Sequence, residues 1–98
     1  MSQIIIDPDA ASADIKKIND AINKLNASQN SIKQLSTNAS DMTGQTGPAI
    51  VEKCTQLSSQ IDALKTNLNT TIGLIKSAVK EYQEKDADLA KHYQNGGV

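Results

Sequence analysis

Few residues in this sequence are of types that do chemistry, and they do not cluster. The chain has one cysteine, Cys54, and one histidine, His92. A single thiol cannot form an intramolecular disulfide, and a zinc site built on it would lack sulfur partners. His92 has no cysteine companion in its own turn, so it reads as a surface residue. Cys54 falls on an apolar stripe and reads as a buried, inert thiol. The sequence offers no Ser-His-Asp set, Gly-rich phosphate loop or His/carboxylate cluster, so we expect neither an enzyme nor a cofactor. One pair remains. Tyr82 and Asp86 are four apart, which on a helix stacks ring and carboxylate on one face. Such a pair can recognise a partner. Alternatively, Tyr82 is a heptad residue of the core and Asp86 a solvated charge.

The elements that must position this pair are read from periodicity. Ile75, Val79, Tyr82, Asp86, Leu89 and Tyr93 fall at alternating steps of four and three, one helix face over about five turns. The same pattern extends back through Ile50, Cys54, Leu57, Ile61, Leu64, Leu68 and Ile72, with one extra residue near Thr70–Gly73, where we expect a bend or a handover of the apolar face. Upstream, Ala11, Ile15, Ile18, Ile22, Leu25, Gln29, Ile32, Ser36 and Ala39 form a second heptad seam with Gln29 and Ser36 as polar interruptions; Gln29 is the residue best placed to choose register or partner. Asp7-Pro8-Asp9 is a helix start, with Asp7 as cap and Pro8 at the first position. Ser2–Ile6 reads as a short extended arm. Asn95-Gly96-Gly97 ends the second helix.

Between the seams lies one break, Ser40–Pro48, with two glycines and a proline. The expected fold is therefore all-α: an antiparallel two-helix hairpin in a single domain, with helix one at about 8–39, a turn at 40–48 and helix two at about 48–94. At 1.5 Å per residue the helices are about 48 Å and about 70 Å long, so the second overhangs the first, and Tyr82–Tyr93 is expected on the overhang. A hairpin has a seam but no enclosed core, so we expect it to dimerise into a four-helix bundle.

Composition limits the partners. Ten basic and eleven acidic residues give a net charge of −1 without a basic cluster, which argues against nucleic acid. No run approaches the ~18 apolar residues of a membrane span, and the Ile4-Ile5-Ile6 run is too short for a signal peptide, so no membrane insertion and no general secretory route are expected.

A helical hairpin of about 100 residues, a Gly-containing turn and Tyr-x-x-x-Asp late in helix two together resemble the WXG (ESAT-like) small proteins of type VII secretion. In that family the turn carries Trp-x-Gly. Here the tripeptide is Met42-Thr43-Gly44: the glycine matches and the tryptophan is absent, which points to the Trp-less relatives of Gram-positive bacteria associated with LXG toxins. The resemblance implies a small secreted virulence-type substrate, or a targeting partner retained in the cytoplasm. It would form a homodimer or heterodimer with another helical hairpin, or dock on the helical N-terminal region of an LXG toxin. Tyr82 and Asp86, with Leu89, would present the export signal to the type VII secretion ATPase, and Met42 and Gly44 would be turn positions. The rival expectation is a structural coiled-coil subunit of a needle or filament.

Overall fold

The computed structural model describes residues 6–94, with side chains as far as Asp88. It consists of two antiparallel helices, α1 (Pro8–Ser40) and α2 (Thr46–Gln94), and is an all-α helical hairpin. The molecule is a rod of 80 × 20 × 20 Å. Its radius of gyration is 22.7 Å, against about 13 Å for a compact chain of this length. The arm expected at Ser2–Ile6, apart from Ile6, and the C-terminal stop at Asn95–Gly97 lie outside the described residues.

Asp7 caps α1 as its position before Pro8 dictates. Its carboxylate oxygen accepts from the backbone N–H groups of Asp9 (2.9 Å) and Ala10 (3.3 Å), satisfying donors that have no partner within the helix. At the other end the N–H of Met42 donates to the carbonyl of Ala39 at 3.0 Å. Gly44 then takes φ +83°, the left-handed conformation that reverses the chain. Helix α2 begins at Thr46, two residues before Pro48, because an N–H missing from the first turn removes no intrahelical bond. Gly47 is buried where the helices meet: a Cβ there would stand 2.5 Å from the Ala39 carbonyl oxygen. The close approach of the two helices at the turn thus rests on Gly47 and Ala39, the latter 1% exposed.

On α1 the seam is the one its periodicity predicts. Ala11, Ile15, Ile18, Ile22, Leu25, Gln29, Ile32 and Ser36 are half-buried and Ala39 is buried. On α2 two expected seam residues lie outside it. Leu57 and Leu64 are 48% and 46% exposed, and Ser58 and Lys65 occupy the half-buried positions instead. The seam therefore runs Ile50, Cys54, Ser58, Ile61, Lys65, Leu68, Ile72, Ile75, Val79, Tyr82. Its extra residue enters between Cys54 and Ser58, not at Thr70–Gly73, where α2 is continuous and Ile72 is 7% exposed. The cause is polar matching, since Gln29 of α1 faces this stretch and needs hydrogen-bonding partners that leucines cannot supply.

Candidate functional site

Two features of the rod are candidates for recognition: the end of α2, and the pair of unlike flanks on either side of the seam.

Tyr82 is half-buried and Asp86 is exposed. The groove at this end is lined by Pro8, Ala11 and Ile15 of α1 together with Val79, Lys80 and Gln83 of α2. The first turn of α1 thus lies alongside Val79–Gln83, the stretch that holds the half-buried Tyr82, which is therefore short of the overhang on which it was expected. Asp86 lies one turn farther on. The side chains of Leu89, His92 and Tyr93 lie outside the described residues. Within the turn, Met42 is 48% exposed and Gly44 has open space around it.

Midway along the rod the seam carries a polar network that sequence reading anticipated only at Gln29. The Gln29 amide nitrogen donates to Asp62 Oδ1 at 2.7 Å and to the Ser58 carbonyl at 3.1 Å. Its amide oxygen accepts from Lys65 Nζ at 2.6 Å, and the same ammonium donates to Asn26 Oδ1 at 2.9 Å. Lys65 also approaches Asp62 Oδ1 at 3.5 Å, one helical turn away. The Gln29 hydrogen bond, with help from Lys65, holds the Asp62 carboxyl below its ordinary pKa. Among the described residues no buried side-chain polar atom lacks a partner.

This network faces one flank of the hairpin. The groove there is lined by Gln29, Asn30, Lys33, Ser58, Ser59 and Asp62, among others. The opposite groove is lined by Leu35, Ala49, Ile50, Cys54 and Leu57 together with Gln45, Thr46 and Lys53, and Leu64 continues that face one heptad on. Leu35 and Leu74 are 52% and 66% exposed. The displacement of Leu57 and Leu64 from the seam is what makes this flank apolar. The signal was present in the sequence, since Ser58, Asp62 and Lys65 share spacing with Leu57, Ile61 and Leu64, but only the partner at Gln29 decides which set turns inward.

The whole chain exposes 7733 Å². A compact monomer of 10.5 kDa would expose about 5,400 Å². Among the described residues no helix is long and apolar enough to cross a membrane. Comparison with protein-family models, with curated proteins and with solved structures finds no match.

Proposed function

We propose that this chain is a non-enzymatic partner protein of the type VII secretion kind. Its leucine flank docks on another helical protein, and Tyr82-x-x-x-Asp86 is read as an export signal by the secretion ATPase. The observation that carries the docking half is the flank built from Leu35, Leu57 and Leu64, each of which leaves about half of its surface exposed among the described residues. The occupant that fits is a pair of amphipathic helices completing a four-helix bundle, because a rod offers a long, shallow groove and not a pocket. The LXG-toxin N-terminal region implied by the sequence resemblance has that chemistry. The signal half rests on the late position of Tyr82 and Asp86 in α2, with Asp86 open to solvent. In this reading Met42 and Gly44 serve the turn alone.

The rod shape also suits the rival reading, a subunit that polymerises into a needle or filament. One experiment separates the two. The intact chain, Leu57→Glu/Leu64→Glu and Asp86→Ala are each used to capture partners from the native cell, with identification by mass spectrometry. Our reading expects an LXG-type toxin with the intact chain, lost in the leucine variant, and a secretion ATPase lost in the Asp86 variant. Recovery of ladders of the chain itself, unchanged by either variant, overturns it in favour of the filament.

A further inference from the structure

The apolar repeat of α2 holds one residue too many for a uniform heptad seam, and the helix can absorb it in either of two places. In the structure it is taken up by the successive steps of four Ile50–Cys54–Ser58, and Ser58 and Lys65 then face α1. The run Leu64–Leu68–Ile72 offers the same pair of steps two heptads farther on. With the extra residue absorbed there, Ile50, Cys54, Ile61, Leu68 and Ile72 keep their places in the seam. Only Leu57 and Leu64 exchange with Ser58 and Lys65. Between Cys54 and Leu68 the exchange is a rotation of about 40°, less than half of the ~100° that one residue subtends. Both places are locally weakened. The Thr55 hydroxyl donates to the Val51 carbonyl at 3.1 Å, and those of Thr70 and Thr71 donate to the carbonyls of Thr66 and Asn67 at 3.0 Å each. Such back-bonding eases bending of a helix, and Gly73 follows at the second place.

What holds the observed arrangement is Gln29, whose amide meets Asp62, the Ser58 carbonyl and Lys65. Turning Leu57 and Leu64 inward breaks these bonds and sets hydrocarbon against the amide. Keeping them outward leaves about half of each leucine in water, a loss of the opposite sign. We propose that Gln29 is a latch between two packing registers of α2. The latched register presents Leu57 and Leu64 at the surface, and the released register folds them into the seam while Ser58 and Lys65 turn out to solvent. Two packings that share most of their seam are the setting in which a local change is read out as a discrete rotation. The latch belongs to the hairpin alone and stands whatever meets the leucines.

The test uses the full chain with its native thiol. Cys54 is 4% exposed and common to both registers, so its alkylation reports opening of the hairpin and serves as the internal control. Ser58→Cys and Leu64→Cys are made separately, each with and without Gln29→Leu, and alkylation by iodoacetamide is followed at each site by mass spectrometry. With Gln29 present, the thiol of Leu64→Cys must react faster than that of Ser58→Cys, and equal rates would already overturn the proposal. The latch predicts that Gln29→Leu reverses this order while Cys54 stays slow and helicity is retained. An unchanged order under those conditions overturns it. So does fast reaction at both sites, which would show a loosened hairpin and no second register. If Gln29→Leu loses helicity by circular dichroism or opens Cys54, Gln29→Met, which removes the same hydrogen bonds without branching, is read by the same criteria. Unfolding of that variant as well would also overturn the proposal, since the released register would then not be a folded state.

Discussion

Lys65 Nζ lies 2.6 Å from Gln29 Oε1, joining the two helices through a charged group at the middle of an otherwise aliphatic seam. The two residues depend on each other. Gln29 lies among Leu25, Ile32 and Ile61 only because Lys65, Asp62 and Ser58 meet both ends of its amide. Gln29→Leu removes an acceptor from Lys65 and a donor from Asp62 at once. It should destabilise the hairpin by about 1–3 kcal/mol in denaturant unfolding, although leucine is the more apolar residue. A variant as stable as wild type would mean that water replaces Gln29 without cost.

The network also sets a pH dependence. Hydrogen bonding to Gln29 and the proximity of Lys65 lower the Asp62 pKa in the folded chain. A depressed carboxyl contributes stability that is present above the unfolded value, about 3.9, and is lost as pH falls through the folded value. The melting temperature should therefore decline below about pH 4, and Asp62→Asn should flatten the part of that decline due to this group. Because Asp62 is largely exposed, the effect is modest. Parallel acid profiles of the two proteins would count against the assignment.

Ile61 and Leu64 test where the seam lies. Ile61 is half-buried, whereas Leu64 is 46% exposed on the flank. Ile61→Asn should cost about 2–4 kcal/mol, and Leu64→Asn about 1 kcal/mol or less in the isolated chain. Equal costs would return Leu64 to the seam.

That contrast shows what one-dimensional periodicity can and cannot resolve. On α1 the apolar residues are spaced so that one stripe exists, and the helix, its cap at Asp7 and its seam are all readable. On α2 two stripes compete between Cys54 and Leu68: an apolar one through Leu57 and Leu64, and a mixed one through Ser58 and Lys65. Hydrophobicity alone selects the first. The structure selects the second because Gln29 lies opposite, and that relation spans both helices and is invisible within either. The position of Tyr82 was misplaced for a related reason. Helix lengths predict an overhang, but where it begins depends on which layers pair across the turn.

The turn glycines differ in kind. Gly44 has φ +83° with open space around it, so Gly44→Ala meets backbone strain only and should cost about 1 kcal/mol. A Cβ at Gly47 would stand 2.5 Å from the Ala39 carbonyl oxygen, so Gly47→Ala must push the helices apart and should cost more. Gly73 lies inside α2 with nothing near it, and Gly73→Ala should stabilise by about 0.5–1 kcal/mol. Thermal melts should rank Gly47→Ala lowest, Gly44→Ala between it and wild type, and Gly73→Ala above wild type.

The export signal is best tested at Asp86, not at Tyr82. Tyr82 is half-buried in the stretch of α2 alongside the first turn of α1, so Tyr82→Ala removes packing as well as a recognition group, and lost export would be ambiguous. Asp86 is exposed and lies one turn beyond. Replacing such a residue typically changes stability by no more than about 0.5 kcal/mol. Asp86→Ala should therefore keep the wild-type melting temperature and helicity while abolishing secretion into the culture medium. Tyr82→Phe, which keeps the ring, should retain stability and reveal whether the hydroxyl is read. Secretion of Asp86→Ala at the wild-type level would remove the carboxylate from the signal, leaving Tyr82 a seam residue and the leucine flank the remaining recognition surface.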